Sequence, residues 1–259
     1  MHRQSVKGFT LIELIMVMVV VGILSTMTTD IITLPVKSYI DLERRTTLVD
    51  TAEITLRRMQ RDIRRALPNS IRITGGNTLE LLHTTDGGRY RAKLVGDILD
   101  FTVADSSFDV LGSLNAIPSG ELVVYNLGSV GANAYNGDNR ASIDNTSTIN
   151  KVVLSSAKLF PFSSPQQRFF IVDTPITYTC ANGELRRYDN SIDTGYSIGG
   201  STAGLNYKLQ AKADTMSCTF SYDPGSATRA GLVALEMMLT DEVGESAKLI
   251  HQVHVDNMP

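Results

Sequence analysis

The chain has 259 residues, of which 42% are hydrophobic, and it carries a formal net charge of −3. This composition is ordinary for a globular protein and excludes a membrane protein with many spans. Residues 37–72 contain nine basic and five acidic side chains, whereas residues 73–259 contain 13 and 20, and neither part resembles a nucleic-acid-binding surface.

An apolar run occupies residues 9–29 and contains one charged side chain, the carboxylate of Glu13. In a helix that rises about 1.5 Å per residue, these 21 residues would span roughly the 30 Å core of a bilayer. Arg3 and Lys7 precede the run and Asp30 follows it, a bias that keeps the first residues cytoplasmic. A carboxylate inside a membrane costs about 2.5 kcal/mol or more, so the sequence predicts a transmembrane helix in which Glu13 needs a partner.

The run differs from an ordinary secretory signal peptide. Such peptides are cut after the apolar stretch at small residues, and Leu24-Ser25-Thr26-Met27 offers no site of that type. A small residue lies before the run instead, at Gly8. A cut between Gly8 and Phe9 would remove a basic leader, residues 1–8, and would leave the membrane helix on the mature protein.

The segment Gly8-Phe9-Thr10-Leu11-Ile12-Glu13 resembles the class III signal of type IV pilins and type II secretion pseudopilins. The resemblance implies that a prepilin peptidase cleaves after Gly8 and methylates the new amine on Phe9. It also implies that Glu13 pairs with the amino-terminal amine of a neighbouring subunit, which would remove the cost of burying its charge. The alternative is a plain single-pass anchor that carries Glu13 incidentally.

Residues 30–67 are predicted to form an amphipathic helical spine. The apolar residues recur at steps of three and four, which is one stripe of a helix: Val49, Ala52, Leu56, Met59, Ile63 and Ala66. We expect the stripe to pack against a sheet, and the arginines at 57, 61 and 65 form a separate row. Pro35 is expected to kink or locally break the helix, and Pro68 to end it near Leu67.

Residues 68–259 are predicted to form a mostly antiparallel β domain, which gives an α+β fold of the type IV pilin kind. Turn residues at Asp86-Gly87-Gly88, Gly96-Asp97 and Asn182-Gly183 separate short strand-like segments, and the last pair favours a hairpin. The predicted strands cover residues 79–83, 89–95, 98–103, 121–125, 168–172, 176–180, 184–188, 216–222, 232–239 and 248–255.

Two long segments, residues 127–150 and 190–206, have no predicted element. Loops of this length are usually functional or mobile. The run Asn136-Gly137-Asp138-Asn139 offers oxygen ligands suited to calcium, but it lacks the spacing of an EF-hand and its terminal glutamate. A calcium site there is therefore the less favoured alternative.

Cys180 and Cys218 are the only cysteines, and both fall in predicted strands on the exported side. In an oxidising compartment such a pair most often forms a disulfide, which is the favoured prediction. A catalytic thiol is the alternative, but no Cys-His signature accompanies either residue. A metal site would need more ligands than two cysteines 38 positions apart.

The sequence contains no catalytic motif of the common hydrolase, nucleotide-binding or metalloprotease kinds. His83 stands alone in a predicted strand. His251 and His254 are three positions apart in another strand, so their side chains would point to opposite faces of the sheet. We therefore predict neither an enzyme nor a cofactor.

Three later segments resemble the large minor pilins of the PilW type and the J-type pseudopilins. They are Met59-Gln60-Arg61-Asp62-Ile63-Arg64-Arg65-Ala66-Leu67-Pro68, the hairpin Tyr178-Thr179-Cys180 with Gly183-Glu184-Leu185-Arg186-Arg187, and the tail of residues 231–259. Together with Gly120-Glu121-Leu122-Val123-Val124-Tyr125-Asn126, these segments are most similar to minor pilins of the mannose-sensitive haemagglutinin (MSHA) pilus.

This resemblance implies a minor pilin-like subunit that joins a priming or tip complex of the pilus. Its partners would be prepilin peptidase, other major and minor pilins and the inner-membrane assembly platform. The protein would span the inner membrane once with its β domain in the periplasm, or lie at the pilus tip. The alternatives are a minor pseudopilin of a type II secretion system and a membrane-anchored adhesive or ligand-binding module whose loops bind.

Overall fold

A computed structural model describes residues 8–93, 95–189, 206–225 and 229–255, apart from the side chains of Met27, Thr29, Asp30 and Ile32. The chain divides into two units, Met1–Thr47 and Leu48–Pro259. From Leu11 onward the first unit is helical. The second unit contains the end of this helix followed by β structure, which confirms the predicted α+β fold.

The helix α1 covers Leu11–Arg64. Pro35 lies inside it and does not interrupt it, so the predicted break is wrong, and the alternative prediction of a kink stays untested. One backbone hydrogen bond lost at a proline is offset here by the helical turns on both sides. The helix ends three residues before Leu67 because the Leu67 N–H donates to the Leu82 carbonyl at 2.8 Å instead.

Twelve strands follow α1 in the described part of the chain. They are β1 Arg72–Thr74, β2 Thr78–Arg89, β3 Asp105–Asp109, β4 Glu121–Val124, β5 Arg140–Ser142, β6 Lys151–Lys158, β7 Arg168–Ala181, β8 Glu184–Asp189, β9 Tyr207–Lys212, β10 Thr215–Asp223, β11 Gly231–Thr240 and β12 Ser246–Val255. A short 3-10 helix, η1, covers Ala134–Asn136.

The strands form three antiparallel sheets. In the seven-stranded sheet, β7 is the centre: β2 pairs with most of one edge of β7, and β4 and β8 pair with the two halves of the other. Strands β1, β5 and β9 pair with β2, β4 and β8 respectively. The strands β10, β11 and β12 form a second sheet, and β3 pairs with β6.

The longest strands show where the sequence prediction was wrong. The run Asp86-Gly87-Gly88 is not a turn, because β2 continues through it to Arg89 with two register shifts. The predicted strands 168–172 and 176–180 are one strand, β7, which contains Pro175. Pro175 has no N–H to donate, and it lies where the pairing with β2 becomes irregular after Leu82, which is where a strand tolerates proline.

Of the predicted strands 89–95 and 98–103, only Arg89 belongs to a strand among the described residues, and Tyr90 makes an isolated bridge with Val110. Backbone N–H groups in this stretch bond to acidic side chains instead of being free for a ladder. Asp109 accepts a hydrogen bond from the Asp97 N–H at 3.0 Å, and Asp100 accepts one from the Thr102 N–H at 2.7 Å. Such local bonds compete with sheet pairing. The strands β1, β3, β5, β6 and β9 were not predicted.

Residues 127–150 contain η1 and β5 rather than a plain loop. The buried Asn126 ties the start of this segment to the end of the spine, because its Nδ2 donates to the Pro68 carbonyl at 2.7 Å. Its Oδ1 accepts a bond from the Ala134 N–H at 2.9 Å. Of the other long segment, residues 190–205 lie outside the described residues.

The apolar stripe of α1 forms one wall of the main core, as predicted. Within the second unit Ala52, Leu56, Met59 and Ile63 are each at most 1% exposed. They pack in a cluster with buried residues of both larger sheets, among them Leu79, Tyr178, Leu185, Val233, Leu235 and Val253. Burial of a large apolar side chain stabilises a fold by about 1.5–3 kcal/mol, so this stripe holds the helix end on the sheets.

Candidate functional site

The first turn of α1 is closed by reciprocal hydrogen bonds between Thr10 and Glu13. The Thr10 N–H and hydroxyl both donate to Glu13 Oε2 at 3.0 Å, and the Glu13 N–H donates to Thr10 Oγ1 at 3.4 Å. Thr10 precedes the first helical residue, Leu11, and Glu13 is the third helical residue, which is the arrangement of a capping box. The carboxylate therefore stabilises the start of its own helix.

This arrangement leaves the second oxygen of Glu13, Oε1, available to another molecule. Both bonds that the carboxylate accepts reach Oε2, and among the described residues none reaches Oε1. A carboxylate offers about four lone-pair sites, so Oε1 can bind a cation while the cap stays intact. The prediction that Glu13 needs a partner did not include Thr10, although the T-x-x-E spacing signals that bond.

Large apolar side chains are exposed along the amino-terminal segment. Phe9 is 86% exposed, and the large apolar residues from Leu11 to Leu24 are between 48% and 77% exposed. Apolar surfaces of this extent are typical of sites that contact a protein partner or lipid. Within the described residues, no helix is both long enough and apolar enough to cross a membrane.

The bond between Gly8 and Phe9, where the predicted cut falls, lies before α1. Apart from Gly8 and its two neighbours in the chain, no heavy atom of the described residues lies within 4 Å of the position that a Cβ on Gly8 would occupy. Together with the exposure of Phe9, this leaves the bond uncovered by the described residues. An uncovered, non-helical peptide bond suits a peptidase, although the cut itself stays a prediction.

Comparison with known proteins supports this interpretation of the amino-terminal segment. Residues 3–29 match the prokaryotic N-terminal methylation motif. The segment is a type IV pilin-like class III signal. It supports a pilin or pseudopilin subunit. The motif implies membrane anchoring, processing by prepilin peptidase and assembly with other pilins. No curated protein and no solved structure matches the chain.

Cys180 and Cys218 form the predicted disulfide. Their Cα atoms are 6.0 Å apart, and the bond connects β7 of the seven-stranded sheet with β10 of the three-stranded sheet. Both cysteines belong to the core that also contains the apolar stripe of α1. The pair therefore joins two layers of the β domain and is not available as a thiol.

A polar cluster connects the end of α1 to the sheet. Asp62 Oδ2 accepts hydrogen bonds from the Tyr178 hydroxyl at 2.7 Å and from Arg187 Nε at 2.8 Å. Burial raises the pKa of the Tyr178 phenol well above its usual range, and the charge of Asp62 raises it further. Because this phenol keeps its proton and donates it to Asp62, the cluster fixes the helix on the sheet and is not arranged as a catalytic acid or base.

Predicted candidates for metal binding are dispersed or already bonded. Among the described residues, no group of three His, Cys, Asp or Glu side chains could hold a metal ion. Asp138 Oδ2 accepts hydrogen bonds from the Gly131 and Asn133 N–H groups at 3.1 and 3.2 Å. On β12, His251 is half-buried and His254 is exposed. His83, which the sequence left alone, lies 3.0 Å from Asp173 through its Nδ1.

Proposed function

We propose that this chain is a minor pilin-like subunit that takes part in assembling a type IV pilus, within a priming or tip complex. In this proposal prepilin peptidase cuts between Gly8 and Phe9 and methylates the Phe9 amine. The mature segment then lies in the inner membrane, with the β domain in the periplasm, until the subunit enters the pilus. Its partners are other major and minor pilins and the assembly platform.

The observation that carries the proposal is the geometry of Glu13 at the start of an exposed apolar helix. Its Oε2 is used by Thr10, whereas Oε1 has no bond within the described residues. A cationic amine on a neighbouring subunit is the right size and charge to reach Oε1, and it would neutralise the carboxylate in an apolar environment. In a plain anchor the carboxylate would only cap its own helix, and Oε1 would need no cation from a neighbouring subunit.

We further propose that the pilus is of the MSHA type. The support is the resemblance of the spine end, the β7–β8 hairpin and the tail to minor pilins of that system. The alternative is a minor pseudopilin of a type II secretion system, which would use the same amino-terminal segment. Isolation of the mature protein from pilus-producing cells, followed by identification of the co-purifying pilins, decides between them.

Processing is tested by intact-mass analysis of the membrane-extracted protein. We expect a chain that begins at Phe9 and carries one methyl group on its amine. Gly8→Leu should block the cut because the peptidase would meet a bulky residue, whereas Ser5→Leu, within the leader, is the matched control and should still be cut. Retention of residues 1–8 in cells with active prepilin peptidase would contradict the proposal.

A further inference from the structure

A groove of about 710 Å³ lies beside the carboxyl end of α1, in the second unit of the chain. The end of α1 and the residues after it form one wall, and β2 and β7 form the floor and the other wall. The lining residues are Arg64, Arg65, Ala66, Pro68, Thr84, Thr85, Gly87, Gly88, Arg89, Arg168, Phe169 and Phe170. The groove is separate from the amino-terminal segment described above.

Gly87 keeps the floor of the groove flat, whereas Gly88 faces the buried Phe169 ring of the core. A Cβ on Gly87 would lie 2.9 Å from the Phe169 carbonyl oxygen, and one on Gly88 would lie 3.1 Å from the Phe169 ring. Side chains at these positions would therefore collide with β7. Phe170 is half-buried and also lines the groove, so the floor is apolar.

The walls of the groove are strongly basic. Arg64, Arg65 and Arg89 are exposed, and none of them has a carboxylate partner among the described residues. Among the described residues, none that lines the groove is acidic. The nearby Asp86 is already bonded, because its carboxylate accepts hydrogen bonds from the Asn115 N–H and Nδ2 at 2.9 and 3.0 Å. The groove thus presents an excess of positive charge around an apolar floor.

The outer edge of β2 borders the same groove. Within the described chain, residues 85–88 pair with no strand except β7, which occupies the opposite edge, and of their N–H groups that of Gly87 already donates to Asp86 Oδ1 at 2.8 Å. At the start of this stretch the Thr84 N–H donates to the Arg65 carbonyl at 2.8 Å. Thr84 Oγ1 is buried and has no hydrogen-bond partner in the described structure. An open strand edge is a template for an extended peptide.

From these features we infer that the groove binds an extended, acidic peptide segment of a partner protein, with an apolar side chain seated on the glycine floor. Guanidinium groups hold carboxylates through paired, charge-assisted hydrogen bonds. Lipid phosphates or nucleic acids could also meet the arginines, but neither has a backbone that pairs with a strand edge. The open edge of β2 therefore favours a peptide. This inference does not depend on the assembly role of Glu13.

The test measures binding of a fluorescein-labelled peptide, Glu-Asp-Phe-Glu-Asp, to the full chain in detergent by fluorescence anisotropy. The variant Arg65→Glu with Arg89→Glu reverses one charge on each wall. Its affinity should fall by about 10-fold or more, since each charge-assisted contact is worth roughly a factor of ten. The control, Arg45→Glu with Arg58→Glu, changes the net charge equally at exposed arginines outside the groove and should stay within about 2-fold.

Folding of each variant is checked by its thermal transition, and Arg65→Gln with Arg89→Gln provides a neutral version that should show an intermediate loss. A probe peptide with Ser in place of Phe should bind more weakly to the unchanged chain. Equal losses in the groove and control variants would overturn the inference, because they would show an effect of net charge alone. The inference would also be overturned if the peptide did not bind while binding of phosphatidylglycerol vesicles or of a single-stranded oligonucleotide depended on Arg65 and Arg89.

Discussion

At the scale of single residues, Glu13 combines a local and an intermolecular interaction on one carboxylate. Oε2 closes the first turn of α1 with Thr10, and Oε1 stays available for the proposed amine of a neighbouring subunit. The two functions are separable because they use different oxygens. Substitutions at Thr10 and at Glu13 should therefore give different results.

Glu13→Ala should leave processing intact, since a charge is removed from an apolar segment, while the number of surface pili falls because the intersubunit contact is lost. Glu13→Gln should be nearly as harmful, because the amide keeps the size but not the charge. Thr10→Val is the control: it removes the hydroxyl of the cap, which costs about 1 kcal/mol at the helix start, but keeps the carboxylate. Pilus number is counted by electron microscopy, and processing is measured in parallel by a cleavage assay. Normal piliation with Glu13→Ala would remove the main support for the proposed function.

The pair His83–Asp173 makes stability depend on pH at the acid side. Burial alone would raise the pKa of Asp173, but hydrogen bonds from His83 and from the Thr174 N–H hold it below its usual value. The ionised carboxylate thus stabilises the fold above the usual carboxylate pKa, and this contribution is lost as the pH falls through the lower, folded pKa.

Asp173→Asn should therefore flatten the loss of stability that begins below about pH 5 and continues through the lowered pKa of Asp173, as measured by urea unfolding at each pH. Asp144→Asn is a useful comparison, because hydrogen bonds from the Thr146 hydroxyl and N–H lower the pKa of Asp144 without a histidine partner. His83→Gln should reduce the slope of the free energy of unfolding against pH at acid pH in the wild-type protein. It should not change that slope in the Asp173→Asn variant. An unchanged slope in Asp173→Asn would show that the pair does not contribute.

At the scale of elements, the end of α1 depends on one apolar stripe and one polar cluster. Met59 is fully buried between the sheets, and Asp62 receives bonds from Tyr178 and Arg187 on the adjacent strands. The stripe supplies the free energy of burial, and the cluster fixes the rotation of the helix about its own axis. The stripe acts through apolar burial and the cluster through hydrogen bonds, so separate substitutions can test them independently.

Met59→Ala should lower the free energy of unfolding of the β domain by about 2–5 kcal/mol, because it removes buried apolar volume and leaves a cavity. Arg58→Ala is the neighbouring control, since Arg58 is exposed and surface substitutions usually change stability by less than about 0.5 kcal/mol. Denaturant unfolding of the detergent-solubilised chain measures both. Equal stabilities of the two variants would contradict the placement of the stripe.

At the scale of the whole β domain, the disulfide is the covalent link between the seven-stranded and three-stranded sheets. It joins Cys180 to Cys218 across a sequence separation of 38 residues. Strands from both sheets also meet the stripe of α1 in one core. The disulfide and this shared core together hold the two sheets against each other.

Cys180→Ser with Cys218→Ser should lower the free energy of unfolding by about 4 kcal/mol if the effect is mainly on the unfolded chain. The thermal transition should fall accordingly, and reduction of the wild-type protein should reproduce the change. Non-reducing peptide mapping of material from the periplasm provides the independent check. Two free thiols in that material would overturn the pairing in the exported protein.

The sequence by itself determined the features that depend on residues close together in the chain. The stripe from Ala52 to Ile63 follows from helical periodicity. The turn at Asn182-Gly183 follows from the tolerance of Asn and Gly for positive φ, and the structure has φ of 53° and 74° there. The class III signal was predicted in the same way, because its residue types lie at fixed local spacing. Even the missed cap at Thr10 is a local pattern.

Only the tertiary structure decided the features that depend on distant partners. Gly87 and Gly88 have the composition of a turn, yet they lie in strand β2. Glycine is needed there because a side chain would collide with Phe169 of β7. The basic groove likewise unites Arg65 of the helix wall with Arg89 and Arg168 of two strands. Local sequence patterns do not predict these contacts between distant residues, because the free energy that stabilises them comes from packing between elements far apart in the chain.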